Sequence, residues 1–445
     1  MRSLHLLLGT SLALVACGGN DAAPALITGG GVGSGEIDGR VNVYVIDSNT
    51  FAAISGAKVR VGSISGMTDA NGLFTAKGDL SGKQDVAVVA DMHVPTLWAG
   101  VNGANVTIPV RLTTQATVAQ AELDGTIDNW ATLPAPAQGH ATLATITYTW
   151  TTRLDDPANS IGSPSGTGGI PANLCLNSQF GNPGCDFKVN ARTGSVALFA
   201  TITDRDFKGT PTNFADDTAV VSGFAWKGGL AVNGGVNQTG VTLTSLAAGD
   251  TQNATVAFGT VPAALTTVGG LVYVDLGADG MAPILRDPLA PLTTISPTNT
   301  SVLVPKLSAF TGASYRIVAS AQGNTGQSII NKHGLTDVSN VSLGDWLGTP
   351  TGMMFASDTV SATAVSGASL LGFEISNASS TSWSVSIFDG STSAKIPTDL
   401  APIPTGSNTL KAQAIDVSAD LKDFNLEHAL DIVNRVSSDT TTFTK

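Results

Sequence analysis

Short runs of alternating apolar and polar residues, separated by glycine and asparagine turns, limit most strongly what this chain can fold into. In the segment GRVNVYVID, Val41, Val43 and Val45 alternate with Asn42 and Tyr44. This two-residue period is the pattern of a half-buried β-strand. Similar runs recur from there towards the C-terminus, whereas apolar residues at helical spacing are rare.

The composition points the same way. Charged residues make up 13% of the 445 residues, about half of the ~25% that is usual for soluble domains. The chain also contains 50 glycines. Threonine and valine suit pleated surfaces, and glycine and asparagine suit turns. We therefore predict an all-β fold of tandem β-sandwich domains, Ig-like and prealbumin-like, with one short C-terminal helix.

The charge balance excludes one class of partner. The formal net charge is −12, and the sequence contains no cluster of lysine and arginine. A protein that binds nucleic acid needs a basic stripe or patch. We therefore predict that this protein has no nucleic-acid partner.

The first 16 residues have the pattern of a secretion signal. Arg2 supplies a positive charge, and the run from Leu4 to Ala16 is mostly apolar. As a helix this run is ~20 Å long, whereas a bilayer core of ~30 Å needs about 20 residues. We predict a cleaved signal peptide over residues 1–16. The alternative is a buried N-terminal helix, which the glycine-rich segment that follows does not favour.

The stretch LVAC, which ends at Cys17, resembles the lipobox of bacterial lipoproteins. The resemblance implies that the Cys17 thiol receives a diacylglyceryl group and that the new amine is acylated after cleavage. One acyl chain binds a membrane only marginally, so three chains would hold the protein there. Gly18 follows the cysteine in place of the aspartate that retains lipoproteins in the inner membrane. We expect a location in the bacterial cell envelope, anchored in the outer membrane.

A flexible linker over residues 17–38 is predicted to lead to a first domain at 39–112. The motifs GRV (from Gly39), GAKV (from Gly56) and TDANGLF (from Thr68) resemble the carboxypeptidase regulatory-like domain. Ile54-Ser55 stands where that family often has proline. The resemblance implies a prealbumin-like β-sandwich that acts as a spacer and has no catalytic residues.

Two further domains are predicted. A β-rich middle domain at 113–340 contains a long loop between Thr151 and Asn190, and a C-terminal Ig-like or fibronectin-III-like domain covers 341–445. Helical spacing over Asn425–Val436 predicts the one helix. The candidate strands of the two domains are His140–Trp150, Gly194–Asp204, Ala219–Trp226, Gly240–Leu246, Gly269–Gly277, Ser314–Gln322, Ala368–Ser376, Ser382–Asp389 and Thr409–Ser418.

Cys175 and Cys185 lie in the long loop of the middle domain. In an exported protein two such cysteines favour a disulfide. Closing an 11-residue loop would stabilise the fold by about 2–3 kcal/mol by chain-entropy arithmetic. Free thiols are the main alternative. A metal site would need further ligands, and no histidine or cysteine pair flanks these two.

Four aspartates form the most suggestive acidic set: Asp204, Asp206, Asp216 and Asp217. Calcium takes six to eight oxygen ligands, so this set could hold a structural calcium ion. Ordinary turn aspartates that cap their own backbone are the favoured interpretation. Asp275 and Asp279 form a second, smaller set. No other cofactor is expected.

Catalytic motifs are absent from the sequence. Beyond the signal peptide, the histidines are isolated from one another, and no zinc-protease, nucleophile-elbow or P-loop motif occurs. We predict that the protein is not an enzyme. Two carboxylates suffice for glycoside hydrolysis, so an exported carbohydrate-active or other hydrolase, or a carbohydrate-binding protein, remains the alternative.

Our first hypothesis is a lipid-anchored envelope protein with a structural, adhesive or ligand-binding role. An envelope protein or a polysaccharide would be its partner. A subunit of an envelope complex, recognised through an apolar patch, is a further possibility. The six tryptophans, which could bind sugar faces, are interpreted as core residues of the sandwiches. They are Trp98, Trp130, Trp150, Trp226, Trp346 and Trp383.

Overall fold

The computed structural model is built almost entirely from strands, and its only α-helix among the described residues is α1 (Ala429–Ile432). It describes residues 26–27, 29–33, 35–114, 117–152, 156–162, 164–166, 171–210, 216–285, 295–378, 380–418, 420 and 429–445. Short 3₁₀ turns occur at Trp130–Thr132, Pro157–Ser160, Ala248–Asp250, Gly277–Asp279 and Leu307–Ala309. The all-β prediction is confirmed.

The described residues form 29 strands. The first ten are β1 (Gly31–Val32), β2 (Asp38–Asp47), β3 (Lys58–Val61), β4 (Ile64–Met67), β5 (Leu73–Ser81), β6 (Gln84–Val89), β7 (Thr96–Val101), β8 (Asn105–Val110), β9 (Gln120–Ile127) and β10 (His140–Tyr148). The next ten are β11 (Leu174–Ser178), β12 (Phe187–Arg192), β13 (Gly194–Asp206), β14 (Thr218–Val232), β15 (Gln238–Ser245), β16 (Thr251–Ala257), β17 (Thr267–Asp275), β18 (Met281–Pro283), β19 (Ser301–Pro305) and β20 (Ser314–Gln322). The last nine are β21 (Gln327–Leu335), β22 (Val341–Ser342), β23 (Met354–Ala356), β24 (Thr359–Ser361), β25 (Leu370–Ser376), β26 (Thr381–Ile387), β27 (Ser393–Lys395), β28 (Ser407–Val417) and β29 (Val433–Thr444).

A 12-stranded sheet runs through most of the chain, in the order β18-β17-β20-β21-β29-β28-β25-β26-β7-β6-β3-β4. Two pairings join segments that are far apart in sequence. Strand β26 pairs in parallel with β7, from Ser384 opposite Thr96 to Ile387 opposite Ala99. Strand β29 pairs with β21 over four residues. Because these ladders are continuous, the successive sandwiches share one layer.

Three smaller sheets cover the shared sheet and enclose its apolar side chains. The four-stranded sheet β1-β8-β2-β5 encloses the first core, which includes Val43 and Val88. The sheet β23-β24-β27 encloses the C-terminal core around Phe373 and Trp383. The sheet β19-β16-β22 encloses the central core, which includes Ile317.

Strands β6 and β7 are buried on both faces. Val88 and Trp98 belong to the first core, whereas their neighbours Ala87 and Leu97 belong to the C-terminal core. Successive side chains of a strand point to opposite faces, so the two cores lie on opposite sides of these strands. Strands β6 and β7 therefore form a wall that the first core and the C-terminal core share.

A seven-stranded sheet forms the remaining unit, in the order β11-β10-β13-β14-β15-β9-β12. It encloses an apolar core of its own, which includes Leu123, Ile146 and Phe187. Its two edge strands approach each other, since the Lys188 amide at the start of β12 donates to the Ala172 carbonyl just before β11, at 2.8 Å. The sheet thus curls almost into a closed barrel.

The predicted strands are found, with two corrections. Leu174–Ser178 and Phe187–Arg192, predicted within a loop, are strands β11 and β12. The predicted helix Asn425–Val436 is wrong at its C-terminal end, because strand β29 begins at Val433, directly after α1. Residues 425–428 lie outside the described part. The domain boundaries and the carboxypeptidase regulatory-like resemblance stay predictions.

Candidate functional site

The predicted disulfide between Cys175 and Cys185 is present, and both residues are buried. Cys175 lies in β11, and Cys185 lies two residues before β12, so the bond links the two edge strands of the seven-stranded sheet. Unpaired sheet edges are sites of fraying and of unwanted pairing. The disulfide therefore fastens the seam at which this sheet nearly closes.

The hairpin between the two cysteines is held on a neighbouring loop by side-chain amides. Asn182 Nδ2 donates to the Trp130 carbonyl at 2.6 Å, and Asn177 Nδ2 donates to the Pro134 carbonyl at 3.0 Å. The Gly139 amide donates to Gln179 Oε1 at 3.4 Å. Covalent closure and these bonds together fix the hairpin's shape before any partner binds.

This hairpin presents an aromatic side chain to solvent. Phe180, at its turn, is 91% exposed, and Leu133 on the neighbouring loop is 37% exposed. Pro134 and Pro183 are exposed as well. We call Leu133, Pro134, Phe180 and Pro183 the loop patch. Rigid, exposed aromatic residues are typical anchors of binding interfaces.

The segments that form the loop patch carry no charged side chain. The two segments that form it, residues 129–139 and 171–185, contain no aspartate, glutamate, lysine or arginine. Asp128 and His140 flank the first segment, and Asp186 follows the second. An uncharged centre with a polar rim is the usual anatomy of a protein interface.

The structure brings together two of the four predicted calcium ligands. Asp204 accepts a hydrogen bond from His140 Nδ1 at 3.1 Å, and His140 Nε2 lies 4.0 Å from Asp206. Lys208 donates to Asp206 through its amide and its ammonium group, and this interaction lowers the pKa of Asp206. Both carboxylates are therefore neutralised by cationic or proton-donating neighbours of the protein itself.

The other two acidic residues have separate partners. Thr210 Oγ1 donates to both oxygens of Asp216, at 3.0 and 2.8 Å. Asp217 Oδ2 accepts from Arg205 Nε at 2.7 Å, and both side chains are only 2% exposed. Across the described residues, no group of three or more histidine, cysteine or acidic side chains is arranged to hold a metal. Calcium binding by this set stays a prediction.

A charged cluster around the buried Arg316 was not anticipated from the sequence. Arg316, 1% exposed, donates to Asp275 at 3.3 Å and also to Asp431 of helix α1. Burial raises the pKa of Tyr273, which lies opposite Arg316 in the sheet. Burial, and then the charge of Arg316, lower the pKa of His333. The cluster fastens α1 to the shared sheet.

Asp279, of the second acidic set, also serves the fold. Its two carboxylate oxygens accept from Ser195 Oγ at 2.5 Å and from the Gly229 amide at 2.8 Å. It therefore bonds to β13 and β14 and joins the seven-stranded sheet to the turn before β18. Asp275 and Asp279 thus have separate protein partners, since Asp275 pairs with Arg316.

A polar cleft of about 510 Å³ lies between the central and C-terminal cores. Its lining includes hydroxyl side chains, together with Trp346, Val365 and Arg435. Arg435 donates to Asp416 at 2.7 Å and to the Asp345 carbonyl at 3.2 Å. The guanidinium thus links strand β28 to the loop at 345. Among the described lining residues Asp345 is the one carboxylate, whereas glycoside hydrolysis uses two.

The tryptophans lie in the cores, as predicted. Trp98, Trp130, Trp346 and Trp383 are buried, between 0 and 7% exposed. Trp150 and Trp226 are partly buried and pack against the core clusters. Trp150 also contacts Tyr273, with ring centroids 5.8 Å apart. Their faces are not arrayed as a sugar-binding platform on the surface.

A buried pair in the N-terminal part of the chain predicts a pH effect. His93 Nε2 lies 3.0 Å from Asp47 Oδ2, and each side chain is 12% exposed. Burial raises the pKa of Asp47, but hydrogen bonds from Thr50, His93 and Asn49 outweigh it and hold the pKa below its ordinary value of 3.8. A depressed pKa contributes stability above the unfolded value, which is lost as pH falls through the folded value.

We therefore expect the urea midpoint of the wild-type protein to fall as the pH is lowered below about 4. The Asp47→Asn variant should be less stable at pH 7 and should lose less stability on acidification. Denaturation curves at a series of pH values measure both effects. An equal decline in the two proteins would show that Asp47 is not responsible.

Cys17 and the predicted signal peptide lie outside the described residues. In the described part of the chain, no helix is long and apolar enough to cross a membrane.

Comparisons with known proteins give no family. No family model matches the chain, and no curated protein matches it. Among solved structures, the Bacillus anthracis TIE protein is 11% identical, with 66% of this chain and 45% of that chain covered and a TM-score of 0.14. This chain therefore spans less than half of that structure.

Two pilins are among the other matches. GBS52, the minor pilin of Streptococcus agalactiae, is 9% identical, with 47% of this chain and 97% of that chain covered and a TM-score of 0.14. BcpA, the major pilin subunit of Bacillus cereus, is 10% identical, with 74% and 94% covered and a TM-score of 0.15. At these TM-scores the likeness carries no inference about function.

Proposed function

We propose that this is a non-enzymatic protein of the bacterial cell envelope, tethered by lipid at Cys17, whose β-sandwich units present the loop patch as a contact surface. The observation that carries this proposal is the disulfide-fastened hairpin with Phe180 91% exposed at its turn. Burying a phenylalanine side chain is worth roughly 1.5–3 kcal/mol. A fully solvent-exposed, rigidly held phenylalanine is therefore a site at which contact is favourable.

The rigidity of the hairpin favours a contact role for Phe180 over the alternative that its exposure is merely tolerated. Three hydrogen bonds from hairpin or loop groups fix it on the segment 130–139. A surface that is ordered beforehand loses little conformational entropy on binding. Binding of a partner to Phe180 would therefore cost little conformational entropy.

The shared sheet supports a structural role. Three cores are enclosed against one 12-stranded layer, and the seven-stranded sheet is joined to its edge through the pairing of Trp150 with Met281. Ladder hydrogen bonds and buried apolar faces resist bending between units. Such a body suits a protein that holds a contact surface in a fixed position on its folded part, which the predicted flexible linker joins to the anchor.

The Cys17→Ser variant tests the anchor. We expect the wild-type protein in the membrane fraction and the variant in the soluble fraction, because two or more acyl chains are needed for stable attachment. Intact-mass analysis of the wild-type protein should give the mass of residues 17–445 plus diacylglyceryl and acyl groups. A variant that stays in the membrane fraction, or a wild-type mass without lipid, would contradict the proposal.

A further inference from the structure

We infer that Asn233 is a site of spontaneous deamidation, in which the backbone amide of Gly234 attacks the Asn233 side chain. This site lies in the turn between β14 and β15 and shares no residue with the loop patch. Asparagine followed by glycine occurs three times in the chain, at Asn71, Asn102 and Asn233. The dipeptide itself does not distinguish these three pairs, whereas the structure does.

The reaction balances without a co-reactant other than water. The Gly234 nitrogen forms a bond to Cγ of Asn233, the bond from Cγ to Nδ2 breaks, and ammonia leaves with the proton that the amide loses. Water then opens the five-membered succinimide at either carbonyl and gives aspartate or isoaspartate. Glycine permits the attack because it has no Cβ to crowd the amide or restrict the backbone. The attack also needs an amide without a hydrogen bond and a backbone that is free to rotate.

The pair at Asn233 meets these conditions. Both residues are exposed. In the described part of the structure the Gly234 amide donates no hydrogen bond, and the Asn233 side chain has no partner. The Val236 amide donates to the Asn233 carbonyl at 3.0 Å, and Gly235 has a φ of 74°. Since the closing hydrogen bond of a β-turn uses the amide of its fourth residue and not of its second, this turn leaves the Gly234 amide accessible.

The pair at Asn71 does not meet them. Gly72 is buried, and its amide donates to the Asp69 carbonyl at 3.0 Å. The Gly72 carbonyl accepts from the Val45 amide at 2.9 Å. Attack on Asn71 would have to break the turn bond of Gly72 first and leave a buried carbonyl unpaired, which raises its barrier.

The pair at Asn102 is blocked by packing. Gly103 is buried, and a Cβ at this position would lie 1.8 Å from the Gly33 carbonyl oxygen. The next amide, that of Ala104, donates to the Gly35 carbonyl at 3.1 Å. The backbone after Asn102 is thus held against the segment that contains β1, and it cannot rotate towards the side chain without local unfolding.

The two products should affect the turn differently. Aspartate adds a negative charge at an exposed position, whereas isoaspartate also inserts one backbone carbon between residues 233 and 234. The turn is fastened to the start of β9, because Gly235 donates to the Gln120 carbonyl at 2.9 Å and the Glu122 amide donates to Asn237 Oδ1 at 3.1 Å. Isoaspartate should therefore loosen the start of β9, while aspartate should not.

Peptide mapping by mass spectrometry of the full chain tests the inference. The protein is incubated in mildly alkaline buffer, either folded or unfolded in guanidinium chloride, and the conversion of each asparagine is followed. In the folded protein we expect Asn233 to convert at least ~10-fold faster than Asn71 and Asn102. In the unfolded chain all three should convert at similar rates. Mildly acidic buffer should slow the reaction at Asn233, because fewer Gly234 amides are deprotonated.

Asn233→Gln is the matched control, since it keeps a side-chain amide but needs a six-membered ring, which forms much more slowly. The acidic form that accumulates first in the ageing wild type, resolved by ion exchange, should be absent from this variant. Freshly made Asn233→Asp should have the charge of the aged protein without its faster hydrogen exchange at the start of β9.

Three results would overturn the inference. The first is equal conversion of the three asparagines in the folded protein, or faster conversion at Asn71 or Asn102. The second is an unreactive Asn233 in the folded protein when the unfolded chain reacts. The third is an acidic form that accumulates in Asn233→Gln as fast as in the wild type.

Discussion

Asp217→Ala is expected to destabilise the protein by about 3–5 kcal/mol, because it leaves the guanidinium of Arg205 buried without its carboxylate. Both side chains are 2% exposed, and Arg205 Nε donates to Asp217 Oδ2 at 2.7 Å. The pair connects β13 to the residue that precedes β14. Urea denaturation, with hydrogen exchange of these two strands, measures the loss.

An exposed pair of the same length provides the control. Lys188 Nζ lies 2.7 Å from Glu122 Oε1, with side chains that are 49% and 27% exposed. Exposed pairs contribute only about 0–1 kcal/mol, so Glu122→Ala should have little effect. The double variant Arg205→Met/Asp217→Leu should recover much of the stability, since it removes both buried charges. If Asp217→Ala cost no more than Glu122→Ala, burial of the pair would be unimportant.

Removing the disulfide is expected to have the next largest effect. By chain-entropy arithmetic, the Cys175→Ser/Cys185→Ser variant should be less stable by about 2–3 kcal/mol. The structure also indicates where stability should be lost, because the bond fastens edge strands β11 and β12. Hydrogen exchange should therefore accelerate most in these strands, and the urea midpoint should fall.

Reduction of the wild-type protein provides the matched comparison. The reduced wild type should have the same urea midpoint as the double variant, and reductant should leave the variant unchanged. Thiol counting on denatured, unreduced wild type should find neither Cys175 nor Cys185 free. Uniform exchange across the seven-stranded sheet would contradict a local clamp at its seam.

Strands whose apolar residues alternate with polar ones could be predicted from the sequence. In β2 and β8 the spacing of valine and isoleucine predicts the strand and the side chains that enter the first core. The expectation that β2 is half-buried is wrong, because Asn42 and Tyr44 on its other face are buried as well. Strand β7 has no such signal. Its sequence TLWAGV is buried at every position, so there is no polar face to mark the two-residue period.

The disulfide could be predicted, but its architectural role could not. Spacing and turn residues around Cys175 and Cys185 indicate a closed loop, whereas only the strand order shows that the bond fastens two sheet edges. Residues that lie far apart in sequence are harder still. Asp275, Arg316 and Asp431 meet only because β17 and β20 are neighbours and α1 crosses beside them.

The loop patch lies between these extremes. The absence of charge in the segments 129–139 and 171–185 is visible in the sequence, yet apolar and uncharged segments can equally be interior. What the sequence does not contain is the exposure of Phe180, which depends on the hairpin turning outward from the seam.

The parallel pairing of β26 with β7 has a consequence for the order of assembly. Strand β7 pairs with β26, beginning at Thr96 opposite Ser384. During synthesis one edge of this apolar strand therefore has no partner until nearly the whole polypeptide has been made. Contacts this distant slow the search for the native state and leave the intermediate prone to aggregation. We therefore expect the N-terminal and C-terminal units to complete their folding together, after most of the chain has been made. A chain truncated before residue 384 would leave the N-terminal unit incompletely folded as well.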